Sequence, residues 1–163
     1  MQKTLLISGF MSLIGVGLIS GNEDEYCIPI EVEEYQVKTI DKEIHANRLI
    51  EALIQVESSG KEDCVGDKHL IIPSIGVLQI RPIMVREINR ILKIQGKDKR
   101  YKNKDRYSRV KSIEMFIIWR DYHHKDDSDE VISRCWNGGP KGYKRKKTLH
   151  YWNKVQKALK KIA

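Results

Sequence analysis

One carboxylate stands out among the side chains of this sequence. Glu57 closes an amphipathic run that ends in Glu57-Ser58-Ser59-Gly60. The apolar positions upstream are Ala46, Leu49, Ile50, Leu53 and Ile54, so Glu57 follows Ile54 by three residues, Leu53 by four and Ile50 by seven. At helical periodicity it shares the face that must be buried. Desolvation disfavours an ionised carboxylate, and a buried Glu without a charge partner tends to keep its proton. An acid still protonated at neutral pH is what general acid chemistry requires. The alternative is a helix-end carboxylate satisfied by an Arg or a backbone amide.

Two later segments also place polar groups beside structure-breaking residues. Gly76-Val77-Leu78-Gln79-Ile80 sets Gln79 22 residues after Glu57, and Trp136-Asn137-Gly138-Gly139-Pro140 sets Asn137 against a strong helix stop. Either could be no more than a turn. Asp67 and Glu114 are the other acids to weigh, and neither has a placement comparable to that of Glu57. No C-x-x-C is present and His123 and His124 are adjacent rather than on one helix face, so no metal site and no cofactor is expected. Cys27, Cys64 and Cys135 are an odd set. A Cys64–Cys135 bridge is the pairing to test, against three free thiols.

The elements that must hold these residues are mostly helices. The first is expected over Asp41–Ser58. Pro82 opens a second, with Met84, Val85, Ile88, Ile91 and Leu92 on its apolar side. Ser108 can cap a third that carries Val110, Ile113, Phe116, Ile117 and Trp119. Asp126, Asp127 or Ser128 can cap a fourth, with Val131, Ile132 and Cys135. A last helix over Thr148–Ile162 presents Tyr151, Trp152, Val155, Ala158, Leu159 and Ile162. About five helices with little strand make one small, mostly α domain over 41–163.

The chain has 163 residues and a formal net charge of +8, unevenly spread. Residues 97–163 hold 20 Lys+Arg against 8 Asp+Glu, and residues 1–96 hold 10 against 14. The basic half fits an anionic partner or a solvated surface. Lys3 followed by an uncharged apolar stretch from Thr4 to Ile19 reads as a signal peptide or an N-terminal membrane anchor over 1–21. An acidic linker over 22–40 follows. An exported protein is expected, in the periplasm, the cell envelope or outside the cell, with a possible membrane tether. Export argues against nucleic acid as the partner.

In order, Glu57-Ser58, Gly76-Val77-Leu78-Gln79-Ile80, Trp136-Asn137-Gly138-Gly139 and Tyr151-Trp152-Asn153-Lys154-Val155 resemble the lysozyme-like lytic transglycosylase family, in particular its soluble lytic transglycosylase catalytic domain. The resemblance spans about residues 42–160 and departs from the family pattern at Leu78, at Trp136 and over 68–74. It implies an α+β lysozyme-like fold and a monomer acting on peptidoglycan strands. The implied reaction cleaves the β-1,4 bond between N-acetylmuramic acid and N-acetylglucosamine and closes a 1,6-anhydro ring. It further implies that Glu57 is the catalytic acid and then base, that Ser58, Gln79 and Asn137 meet substrate, and that Tyr151 points its hydroxyl at the carboxylate. A hydrolytic muramidase on the same fold and a non-catalytic basic protein that binds a wall polymer are the alternatives.

Overall fold

The structure, a computed structural model, describes residues 46–162. The expected export segment and acidic linker, Cys27 and the first residues of the helix expected from Asp41 lie outside them.

Five α-helices and three short 3-10 turns make up the described residues: α1 (46–58), α2 (Pro82–Ile94), α3 (Arg109–His123), α4 (Asp129–Gly138) and α5 (Leu149–Ile162), with 3-10 turns at Asn103–Tyr107, Gly142–Lys144 and Lys146–Thr148. The mostly α architecture agrees with the sequence pattern. Helix starts follow local chemistry. Pro82 opens α2, where its missing N–H has no partner to lose. Ser108 accepts from Lys111 N at the start of α3, and Ser128 accepts from Val131 N at the start of α4.

The apolar stripes meet in one core. Leu49, Ile50, Leu53 and Ile54 of α1 pack with Val77, Leu78 and Ile80 of the connecting segment, Ile88, Ile91 and Leu92 of α2, Met115 and Phe116 of α3, and Val155 of α5. Each such side chain, once removed from water, contributes about 1.5–3 kcal/mol. Two expected core positions are exposed. Val110 is 66 % exposed, because the buried stripe of α3 runs Ser112, Met115, Phe116, Trp119 and Val110 lies off it. Ile162, on the last turn of α5, is 40 % exposed.

Strand is reduced to two isolated antiparallel bridges, Val65 with Ile75 and Ile75 with Ile80. Gly66 N donates to Ser74 O and Gly76 N to Cys64 O, while Ile75 and Ile80 exchange both backbone hydrogen bonds. The segment 64–80 is thereby folded back on itself beneath the end of α1. Its internal strut is Arg106. This buried guanidinium donates to the carbonyls of Asn103, Pro73 and Ile80. Burial pulls its pKa down from the usual arginine value.

Of the two alternatives for Cys64 and Cys135, the bridge is not formed: both thiols are free. Cys135 is buried in α4 with its Sγ 3.7 Å from the carbonyl of Pro140, whereas Cys64 belongs to the folded-back segment, where its carbonyl is held by Gly76 N and the Gln79 amide.

Candidate functional site

The last turn of α1 brings Glu57 to the edge of a cleft of about 500 Å³. Asp67, Gln79, Arg81, Trp136 and Asn137 line it with Glu57. Its walls are thus the folded-back segment, the start of α2 and the C-terminal end of α4.

Glu57 carries the most perturbed chemistry here. Tyr151, from the first turn of α5, donates its hydroxyl to Glu57 Oε1 at 2.7 Å. Burial drives the Glu57 pKa up from an ordinary 4.5 to about 7. The Tyr151 hydrogen bond opposes this, the nearby Asp67 charge adds to it, and Lys154 opposes it weakly. Low polarity therefore wins over the one strong donor, because a carboxylate needs several such donors to stay ionised when buried. With Oε1 taken by Tyr151, the proton belongs on Oε2. Tyr151 is perturbed in the same way, its own pKa pushed well up by burial and by the adjacent carboxyl.

The other expected residues divide. Asn137 is exposed, next to last in α4, and its amide has no hydrogen-bond partner among the described residues, so it is open to a ligand. Gln79 lines the cleft at a positive φ of 47°, but its amide is already engaged: Nε2 donates to Gly76 O and Cys64 O, and Oε1 accepts from Ser74 Oγ. It builds the wall. Ser58 faces inward. Its Oγ donates to Val77 O at 2.9 Å and accepts Gly60 N–H at 3.2 Å, tying α1 to the segment below it. Ser58 is not among the cleft residues.

Of the two other acids, the structure brings Asp67 into the cleft and leaves Glu114 outside, bound by Lys99 and the Tyr101 hydroxyl at 2.7 Å each. Asp67 and Arg81 are cleft residues that periodicity could not find, since both sit in irregular chain where no helical face assigns them a side. Neither has an ion pair or hydrogen bond through its side chain among the described residues. The cleft thus collects Glu57, held by Tyr151, with the side chains of Asp67, Arg81 and Asn137, which have no internal partner among the described residues. Such a set can hold a neutral, hydroxyl- and amide-rich molecule, and Glu57 can give or take a proton near pH 7.

No family model matches the chain, and no curated protein matches its sequence. A solved structure does: the complex of Aeromonas hydrophila PliI with Meretrix lusoria lysozyme, with a TM-score of 0.55 and 22% identity to one of its chains, over 68% of this chain and 87% of that one. At that identity the likeness shows the fold alone. It corrects the expectation drawn from the four motifs. The matched chain belongs to a complex of PliI with a lysozyme, and not to a lytic transglycosylase. Membership of the lytic transglycosylase family, anhydro-forming cleavage of peptidoglycan and the assignment to the glycosidase enzymes are therefore set aside.

The reason the motifs misled is physical. Several of their residues, Ser58, Gly76, Gln79 and Gly138, hold the chain together. Ser58 ties α1 to Val77. Gly76 has a φ of 82°, and a Cβ there would stand 1.9 Å from Arg106 O. Gln79 sutures the folded-back segment. A Cβ on Gly138 would stand 2.6 Å from Thr148 Cγ2. Such contacts serve the fold and do not by themselves specify a function.

Proposed function

We propose that the chain is a glycan-binding protein whose cleft holds a short stretch of an N-acetylated β-linked polysaccharide of the bacterial wall type. One observation carries the reading: a buried carboxyl that keeps its proton to about pH 7 faces a cleft whose remaining polar side chains, apart from the wall-building Gln79 and Ser74, have no internal partners. In its neutral form Glu57 donates from Oε2 to a sugar oxygen. Asn137 supplies both a donor and an acceptor, which suits an acetamido group. Asp67 and Arg81 take hydroxyls, and the edge of Trp136 gives the sugar ring an apolar surface. Gln79 and Tyr151 position the wall and the carboxyl. An exported location goes with this reading and is supported by the apolar stretch from Thr4 to Ile19 behind Lys3. The preponderance of Lys and Arg after residue 97 favours approach to an anionic envelope, an attraction that salt weakens.

The test is calorimetric titration with N-acetylglucosamine oligomers, with mass spectrometry of the recovered sugar. Saturable binding, weakened at least tenfold by Asn137→Ala and with the oligomer recovered intact, is the expected result. Absence of binding overturns the reading, and release of shortened sugars overturns its non-catalytic character. A second reading draws on the solved complex, in which PliI meets a lysozyme. A lysozyme would then dock over the same cleft, and co-elution of the chain with a lysozyme in gel filtration, abolished by Asn137→Ala, would favour it over the glycan.

A further inference from the structure

Beside the cleft lies a second cavity of about 560 Å³, on the far side of a shared wall made by Ile83, Met84, Trp136 and Gly139. Its own lining is Trp119, His123, His124, Cys135, Pro140 and Glu87. The two cavities have opposite chemistry. In the cleft most polar groups are unpartnered, whereas here Glu87, His123, His124 and Cys135 each have an internal partner. Glu87 is bound by Arg90 through both oxygens and by His123 Nε2 at 2.8 Å, and the Arg90 hydrogen bonds hold its carboxyl down at about 2. His124 Nδ1 meets Asp127 Oδ2 at 2.7 Å, and its ring lies 4.6 Å from that of Trp119. The Cys135 thiol is directed to Pro140 O. What remains open is apolar surface: Ile83, 63 % exposed, and the partly buried Met84 and Trp136, the last packed edge-to-face on the largely buried Trp119 with centroids 5.0 Å apart. Open apolar surface of this kind, continuous with a polar site, is what a ligand with an apolar part would cover.

We propose that this groove receives the apolar part of an amphiphilic ligand, an alkyl chain attached to the sugar seated at Glu57, so that the natural ligand is a glycan end carrying a hydrocarbon substituent. The inference rests on the glycan-binding reading and adds a second half to the ligand. The shared wall sets the geometry: a substituent leaving the sugar past Trp136 passes directly from the polar cavity into the apolar one. Because the Glu87, His123 and His124 side chains lining the groove are already engaged, it offers a polar substituent little to replace its lost water.

The experiment compares methyl, butyl and octyl β-N-acetylglucosaminides below their micelle concentrations, by calorimetry on the full chain, together with nuclear Overhauser contacts from the alkyl protons to the Trp119 indole. Affinity is expected to rise about fourfold for each methylene buried until the groove is filled. Alkyl contacts to Trp119 should appear, and Pro140→Asp, at an exposed groove position outside the cleft, should remove the chain-length gain while leaving the methyl glycoside unaffected. Equal affinity for the methyl and octyl compounds overturns the groove assignment and leaves glycan binding standing. A chain-length gain that survives Pro140→Asp, or that comes without contacts to Trp119, also overturns it, as detergent-like adsorption. Failure of every glycoside, the methyl one included, overturns both.

Discussion

Replacing Glu57 by Gln keeps the shape of the side chain and an oxygen to accept the Tyr151 hydroxyl, and removes the ionisable proton. The effect on stability follows from linkage. The folded-state pKa, about 7, lies above the ordinary value of 4.5. Below pH 4.5 the carboxyl is protonated in both folded and unfolded chains, and its contribution is fully present. As pH rises, the unfolded chain ionises first, and the native state is increasingly penalised for holding its proton. The loss is complete once pH passes the folded value near 7. At about 1.4 kcal/mol per unit of pKa difference, the wild type forfeits roughly 3 kcal/mol between pH 4.5 and 8 that the Glu57→Gln variant retains. Other groups titrate in both proteins and cancel in the difference. Urea unfolding of both proteins at half-unit steps from pH 4 to 8.5 measures it directly. The stability difference should stay constant below pH 4.5, change by about 1.4 kcal/mol per pH unit in favour of the Glu57→Gln variant up to about pH 7, and then level off. Parallel curves across the whole range would refute the claim that burial keeps Glu57 protonated.

Further outcomes follow from the same contacts. Tyr151→Phe removes the strongest influence opposing the raised Glu57 pKa, so the carboxyl should titrate above 7 when followed by ¹³C NMR; a lower value would contradict the donor role of Tyr151. Gly76→Ala forces a side chain into a left-handed backbone and against Arg106 O, and should cost more than about 1–3 kcal/mol in chemical denaturation. Arg106→Leu leaves the Pro73, Asn103 and Ile80 carbonyls without their donor and should cost about 3 kcal/mol or more, read by the same measurement.

The helices were legible in the sequence because their signals are local. Pro82, Ser108 and Ser128 mark starts, Gly138-Gly139-Pro140 marks a stop, and the apolar periodicity of α1, α2 and α5 gives the buried faces. The burial of Glu57 was legible for the same reason, as a carboxylate in phase with Leu53 and Ile54. The rest depended on contacts between segments distant in the chain. Arg106 is one of 20 Lys and Arg residues over 97–163, and nothing local indicates that it reaches back to Pro73 and Ile80. Asp67 and Arg81 acquire meaning only when the folded-back segment turns them toward α4. Ser58 and Gln79, read as meeting a ligand, have side chains that also hold the chain together. Function was harder still, because residues such as Ser58, Gly76 and Gln79 are engaged in holding the fold together.

The central claim is that neutral Glu57 donates a hydrogen bond to a glycan in the cleft, and proton linkage tests it most directly. The ¹³C-carboxyl titration of Glu57 should be followed with and without a saturating N-acetylglucosamine oligomer. A ligand that accepts from the protonated form must stabilise that form, so the account predicts a Glu57 pKa raised above its free value of about 7, and affinity that falls as pH is carried past it. A pKa that is unchanged or lowered by bound glycan would contradict it.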